Sequence, residues 1–284
     1  MFNQNIKSPV NIPVSKIHPF EGNPYKVLDN DEMNNLICSI QEQGILTPII
    51  IRPIENTDEY EVISGHRRLH ATVKAGIKEV PAFIYAVNRD EAAIMLVDSN
   101  LHREHILPSE KAFAYKLKLD AIKHQGKTSA QVGQKWSVEQ VAEESSDSRS
   151  QIQRYIRLTY LIPELLDLVD EEKIALTPAV ELSYLTDEEQ YSLLGTIEEE
   201  DRTPSLSQAV RFKKLSQAGE LSDESIETIM QEDKANQKPM FKVSMERLQK
   251  VAPKVKDKDF EDFVLKACEH YYRYLQRQRN RDAR

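Results

Sequence analysis

Tyr60-Glu61-Val62-Ile63-Ser64-Gly65-His66-Arg67-Arg68-Leu69-His70-Ala71 is the stretch on which the reading of this chain turns. Its opening residues have the aromatic and β-branched character of a strand, and Ser64-Gly65 is a turn. A helix-like run then continues through Ala71, Val73 and Ala75 to Gly76. A strand that turns directly into a helix leaves backbone N–H groups unpaired at the positive end of the helix dipole. With Arg67 and Arg68 at that end, a phosphate is the natural guest. Further on, Asn100-Leu101-His102-Arg103-Glu104-His105 offers a second polar and basic cluster. It is expected to be another helix beginning that completes one anion pocket.

Working outward, Val14 and Ile17 between Pro13 and Pro19 read as a short strand entering a loop. Met33, Leu36, Ile37 and Ile40 recur at helical spacing until Gly44. Residues 48–52 and 59–63 read as strands joined through Asn56-Thr57-Asp58, and Val80 to Tyr85 as a further strand. This predicts a small α+β domain over residues 8–106. Beyond Glu91 the periodicity is helical. Ala112, Tyr115, Leu117, Leu119 and Ile122 mark a helix, and residues 126–133 a polar loop. Val138 to Ala142, entered at Trp136, and Ser148 to about Leu158 are separated by a break at Ser145-Ser146-Asp147, the spacing of a helix-turn-helix. An all-α helix-turn-helix domain is thus expected over 107–200, with helical runs at 162–169, 178–185, 187–197 and 205–215. Residues 201–239 are expected as a helical and acidic linker, at most a marginal helix after 219. Residues 240–284 are expected as a C-terminal helical segment carrying the stripe Phe260, Phe263, Val264, Ala267, Tyr271, Tyr274 and Leu275.

The order Gly-x-Arg-Arg-x-x-Ala, then Asn-Leu-x-Arg-Glu, then a helix-turn-helix resembles the ParB chromosome and plasmid partition family over roughly residues 8 to 185. The resemblance implies a ParB/Srx-like N-terminal fold that binds CTP with Mg2+. Gly65, Arg67 and Arg68 would cradle the triphosphate, Asn100 and Arg103 would complete it, and Thr47 would lie next to the base. Two positions depart from the family pattern, because glutamates usual near the metal and phosphates are replaced by His66 and Ser99. Imidazole is a poor ligand for a hard, oxygen-seeking cation. Nucleotide binding is therefore expected ahead of hydrolysis, and any CTPase activity is expected to be weak. Asn100, Asp98 and Glu104 are the remaining candidates for neighbours of magnesium. His66, His70, His102 and His105 have no cysteine or carboxylate at a recognised zinc spacing. Sulfiredoxin shares the fold, but no cysteine stands beside His66-Arg67, which excludes its thiol chemistry.

In the second helix of the helix-turn-helix, Ile152, Ile156 and Leu158 face inward, and Arg149, Ser150, Gln151, Gln153, Arg154 and Arg157 form the DNA-binding face. Arginine pairs with guanine and glutamine with adenine in the major groove. Arg149, Gln153 and Arg154 are the expected base contacts. The resemblance implies a CTP-dependent clamp on double-stranded DNA with a specific site, a homodimer formed through the C-terminal segment, and a ParA-type Walker ATPase partner. Two alternatives stand beside it. One is a ParB-like DNA-binding regulator on a mobile element without nucleotide turnover; the other is a phosphoryl-transfer enzyme of the same fold.

Composition bounds these readings. The chain has 284 residues, 40% hydrophobic and 30% charged, with a formal net charge of −8. That charge excludes indiscriminate nucleic-acid binding but not a basic face. No apolar run approaches the ~20 residues of a membrane span, and no signal pattern opens the sequence, so a cytoplasmic, nucleoid- or plasmid-associated protein is expected. The two cysteines, Cys38 and Cys268, lie in helical apolar patterns and are expected as buried thiols.

Overall fold

The computed structural model describes residues 8–103, 105–125, 138, 141–142, 145, 147–232, 245–252, 255 and 260–282. Five short strands form one mixed sheet: β1 (Val10–Pro13), β2 (Ile17–His18), β3 (Ile49–Pro53), β4 (Tyr60–Ser64) and β5 (Glu79–Ile84). Their order is β1-β5-β3-β4-β2. The central pair is antiparallel with Ile51 opposite Val62, and β5 runs parallel to β3 with Ala82 opposite Ile49. Alternation along β4 divides the core: Val62 packs with Ile12, Ile49, Ile51 and Leu69, whereas Ile63 packs with Phe20, Tyr25, Ala92 and Leu96. Three helices accompany the sheet, α1 (Asp31–Gln43), α2 (His66–Lys74) and α3 (Arg89–Asp98). The Asn30 side chain caps α1 by accepting the Met33 N–H at 3.0 Å, and Gly44 ends it at φ 72°.

Helix α4 (Pro108–Gln125) starts just past the expected boundary at residue 106 and packs on both sides of it. Its Ala114 and Ala121 share a core with α3, while its Tyr115 and Leu119 pack with Val138, Val141 and Ile152. The buried Lys118 ammonium reaches Asp98 at 2.6 Å. One helix therefore serves two cores, and residues 1–232 form one compact unit. Val138, Val141 and Ala142 are helical, as expected for the first helix of the helix-turn-helix; Trp136 and the loop 126–133 lie outside the described residues. There follow α5 (Arg149–Arg157), α6 (Pro163–Asp170), α7 (Leu176–Leu182), α8 (Asp187–Glu200), α9 (Leu206–Ala218) and α10 (Asp223–Gln231).

Helix α10 corrects the expectation of a linker. Ser222 and Ser225 cap it reciprocally, and Ile226, Ile229 and Met230 enter the core that also holds Leu165, Leu193 and Phe212. The segment is acidic only on its outer face. The second unit, residues 233–284, contains α11 (Met245–Val251) and α12 (Phe260–Asp282). On α12 Phe260 is buried, whereas Phe263, Tyr271, Tyr274 and Leu275 are exposed. Both cysteines are also exposed, against expectation; Cys268 lies on the apolar face of α12 with Val264, Ala267 and Tyr271. Among the described residues no helix is long and apolar enough to cross a membrane.

Candidate functional site

Strand β4 ends at Ser64, and Gly65 makes the turn into α2 at φ 104°. A Cβ there would lie 2.7 Å from Ile49 Cγ2, so both the backbone and the space demand glycine. The first N–H groups of α2 consequently face a cavity at the end of the sheet. Gly65, His66 and Arg67 line it from α2, and Asn100 and Arg103 line it from the segment after α3. The fourth side is the loop Asn23, Tyr25, Lys26 and Val27, which sequence reasoning missed. No charge motif marks that loop; its only signal is a turn-prone Gly-Asn-Pro between a strand and a capped helix.

The second motif is not a helix beginning. Ser99 is the C-cap of α3, and the next helix starts only at Pro108. The Asn100 side chain donates to the Leu96 carbonyl at 2.7 Å and to Ser99 Oγ at 3.2 Å, closing the helix end. A helix C-terminus repels anions, so attraction on this side comes from Arg103, whose guanidinium lies 5.5 Å from the Tyr25 ring centroid.

The other expected residues are distributed differently. Arg67 lies on the wall and pairs with Glu32 of α1 at 3.0 Å. Arg68 turns away and donates to the carbonyls of Thr47 and of Pro48, the latter at 2.8 Å. Arg68, Thr47 and Ser99 are not wall residues; Arg68 fastens the strand β3 approach to α2. His66 Nε2 accepts the Phe20 N–H at 3.4 Å. Burial and, secondarily, the Arg103 charge push its pKa down to about 4, so the imidazole is neutral at pH 7. The adjoining loop is pinned by Glu61, which accepts the Glu21 N–H at 2.9 Å while forming a buried ion pair with Arg52 at 2.6 Å.

A polyphosphate fits this donor set of guanidinium groups, an ammonium and a helix N-terminus. Magnesium does not fit as well: among the described residues the wall carries no carboxylate, and Asp98 is turned to Lys118. Glu104 lies outside the described residues. His70 is held apart from His66 by its own partner, Asp29, at 2.8 Å.

The candidate DNA interface is α5, capped by Ser148, which accepts the Gln151 N–H at 3.3 Å. Ile152 is buried; Ser150 and Gln153 are exposed, and Arg149, Gln151 and Arg154 are half-exposed. Arg154 donates to Thr177. Arg157 has a different role from the one expected. It donates to Ser183 Oγ at 3.0 Å and to the Ser183 carbonyl at 2.7 Å, with the Tyr160 and Tyr184 ring centroids 4.4 and 3.9 Å from its guanidinium carbon. It joins α5 to α7 instead of facing outward.

The fold is an α+β domain, with a cavity lined by arginines, joined to a helix-turn-helix domain. Residues 3–101 match the ParB N-terminal domain and residues 108–208 the ParB HTH domain. The chain is 31% identical to the chromosome-partitioning protein Spo0J of Thermus thermophilus, over 71% of this chain and 70% of that one. It belongs to the ParB family. It is also 32% identical to a nucleoid occlusion protein of Listeria innocua over 69% of this chain, and spans 65% of that relative's length. A C-terminally truncated ParB from Caulobacter crescentus complexed with CTP-gamma-S matches with 22% identity and a TM-score of 0.32, covering 68% of this chain and 99% of that one.

Proposed function

We propose that this chain is a site-specific DNA-binding protein of chromosome or plasmid segregation whose N-terminal cavity binds CTP and thereby closes a dimer around DNA. The observation that carries the reading is the union, in one compact unit, of a helix-start cavity lined by Arg67 and Arg103 with a helix-turn-helix whose α5 keeps Ser150 and Gln153 exposed. Triphosphate charge would be received by the α2 N-terminus and the two guanidinium groups. The exposed aromatic residues Phe263, Tyr271 and Tyr274 of α12 support a homodimer formed by the C-terminal unit. A ParA-type ATPase is the proposed mover, and the cytoplasm the proposed compartment.

Turnover of the nucleotide is not part of the proposal, because the wall offers a neutral imidazole at the position where the family usually has a glutamate. A DNA-binding regulator that holds CTP without hydrolysing it is therefore the second reading. Calorimetric titration with CTP, ATP and GTP, with and without a DNA site recovered by selection, tests both. Selective CTP binding strengthened by DNA is expected. Binding of DNA with no triphosphate binding would reduce the protein to a plain site-specific DNA binder.

A further inference from the structure

Two arginines in the second half of α5, Arg154 and Arg157, both reach across to α7, and they are spent differently. Arg157 is consumed by the fold: it donates twice to Ser183 and lies between the Tyr160 and Tyr184 rings. Arg154 donates from Nη2 to the Thr177 hydroxyl at 2.5 Å, its one hydrogen bond among the described residues. One N–H is committed, and the rest of the planar fork is left for a partner outside the fold. Arg154 also stands one turn beyond the exposed Ser150 and next to the exposed Gln153. Its side chain therefore shares the α5 face that would enter a groove.

Thr177 is well placed to aim that side chain. It lies in the first turn of α7, where the next three residues, Pro178, Ala179 and Val180, are buried. The far end of α7 is fastened to α5 through Arg157 and Ser183. Thr177 itself is exposed, so its hydroxyl serves no buried polar group. What it holds is Arg154. An arginine that wanders in the free protein must give up its rotamer freedom on docking, and one held beforehand gives up less.

We propose that Thr177 is a positioning residue for DNA recognition, whose hydroxyl holds Arg154 in the pose from which its guanidinium meets a base edge. Helix α7, outside the two helices of the helix-turn-helix, thereby takes part in sequence specificity. The inference rests on the reading of α5 as the DNA-contacting helix and deepens it.

Affinities of the full chain are measured for a DNA site recovered by selection, for that site with each base pair changed singly, and for unrelated duplex. The proteins are wild type, Thr177→Val, Thr177→Ser, Arg154→Ala and the double variant Thr177→Val with Arg154→Ala. Valine keeps the shape of threonine and removes the hydroxyl; serine keeps the hydroxyl. Thr177→Val is expected to weaken the selected site about fivefold and to relax discrimination at the same base pair as Arg154→Ala. Unrelated duplex should bind as before, Thr177→Ser should behave as wild type, and Thr177→Val should add nothing once Arg154 is gone.

Equal weakening of selected and unrelated DNA would mean a phosphate contact or a general structural role, and overturns the proposal. So does a Thr177→Val loss that persists without Arg154, and so does unchanged or tighter binding of the selected site. Full discrimination by Arg154→Ala would overturn the proposal together with the base contact of Arg154, while leaving the other residues of α5 to read the site. A wild type that prefers no site over unrelated duplex would overturn the DNA reading itself. If Thr177→Val does not fold, Thr177→Ala is read against the same outcomes.

Discussion

The two arginine-bearing motifs of the cavity look alike in sequence and differ in physics. At the start of α2, the side chain of Arg67 and the backbone N–H groups point the same way, so positive potential is built into the helix itself. At the end of α3 the backbone presents carbonyls, Asn100 is occupied in capping them, and Arg103 works against the dipole. One side of the cavity is positive by construction, the other only by virtue of a side chain.

The largest effect should come from disturbing the built-in side. Gly65→Ala imposes a left-handed backbone on alanine and drives its Cβ into Ile49, at an expected cost of about 2–5 kcal/mol in chemical unfolding. A smaller loss would mean that the turn relaxes and that α2 is not rigidly aimed. Next is pH. His66 has a pKa of about 4 in the fold against an ordinary 6.5, so between those values the unfolded chain takes up a proton that the native one refuses. Stability is expected to fall as pH drops through that window, by on the order of 2–3 kcal/mol more than in His66→Gln. Parallel curves for the two proteins would refute the burial of the imidazole.

The arginines themselves should rank in the order of the contrast. Arg103→Ala is expected to weaken CTP about thirtyfold, because it leaves a bare helix C-terminus facing the phosphates. Arg67→Ala should weaken it only about fivefold, since the α2 N-terminus remains. Equal losses in parallel titrations would show that the backbone contributes little and that the two ends are equivalent after all.

Much of this was legible in local sequence. The strand, the Ser64-Gly65 turn and the helix after it are specified by neighbours, and so is the stop of α1 at Gly44. What was not legible depends on distant partners. The direction of Arg68 is set by carbonyls on the approach to β3, and that of Arg157 by Ser183 and Tyr184, which no spacing rule connects to α5. Helix α10 was hidden because three apolar residues on one face are diluted by acidic ones on the other. The loop of Asn23 to Val27 joins the site only when α3 and α2 close around it. Asn100 lies on the cavity wall but at a helix end, not the expected helix start, because a polar cluster after an apolar helix reads equally well as an end or a beginning.

The strand order places β1 and β2 at the margins of the sheet, four and two residues long, with Pro13 as the last residue of β1. An open sheet offers unpaired amide groups along its rim, and identical molecules crowded together can join rim to rim into fibres. Margins this short, one of them finished by a residue with no amide hydrogen, give a neighbouring copy little to pair with.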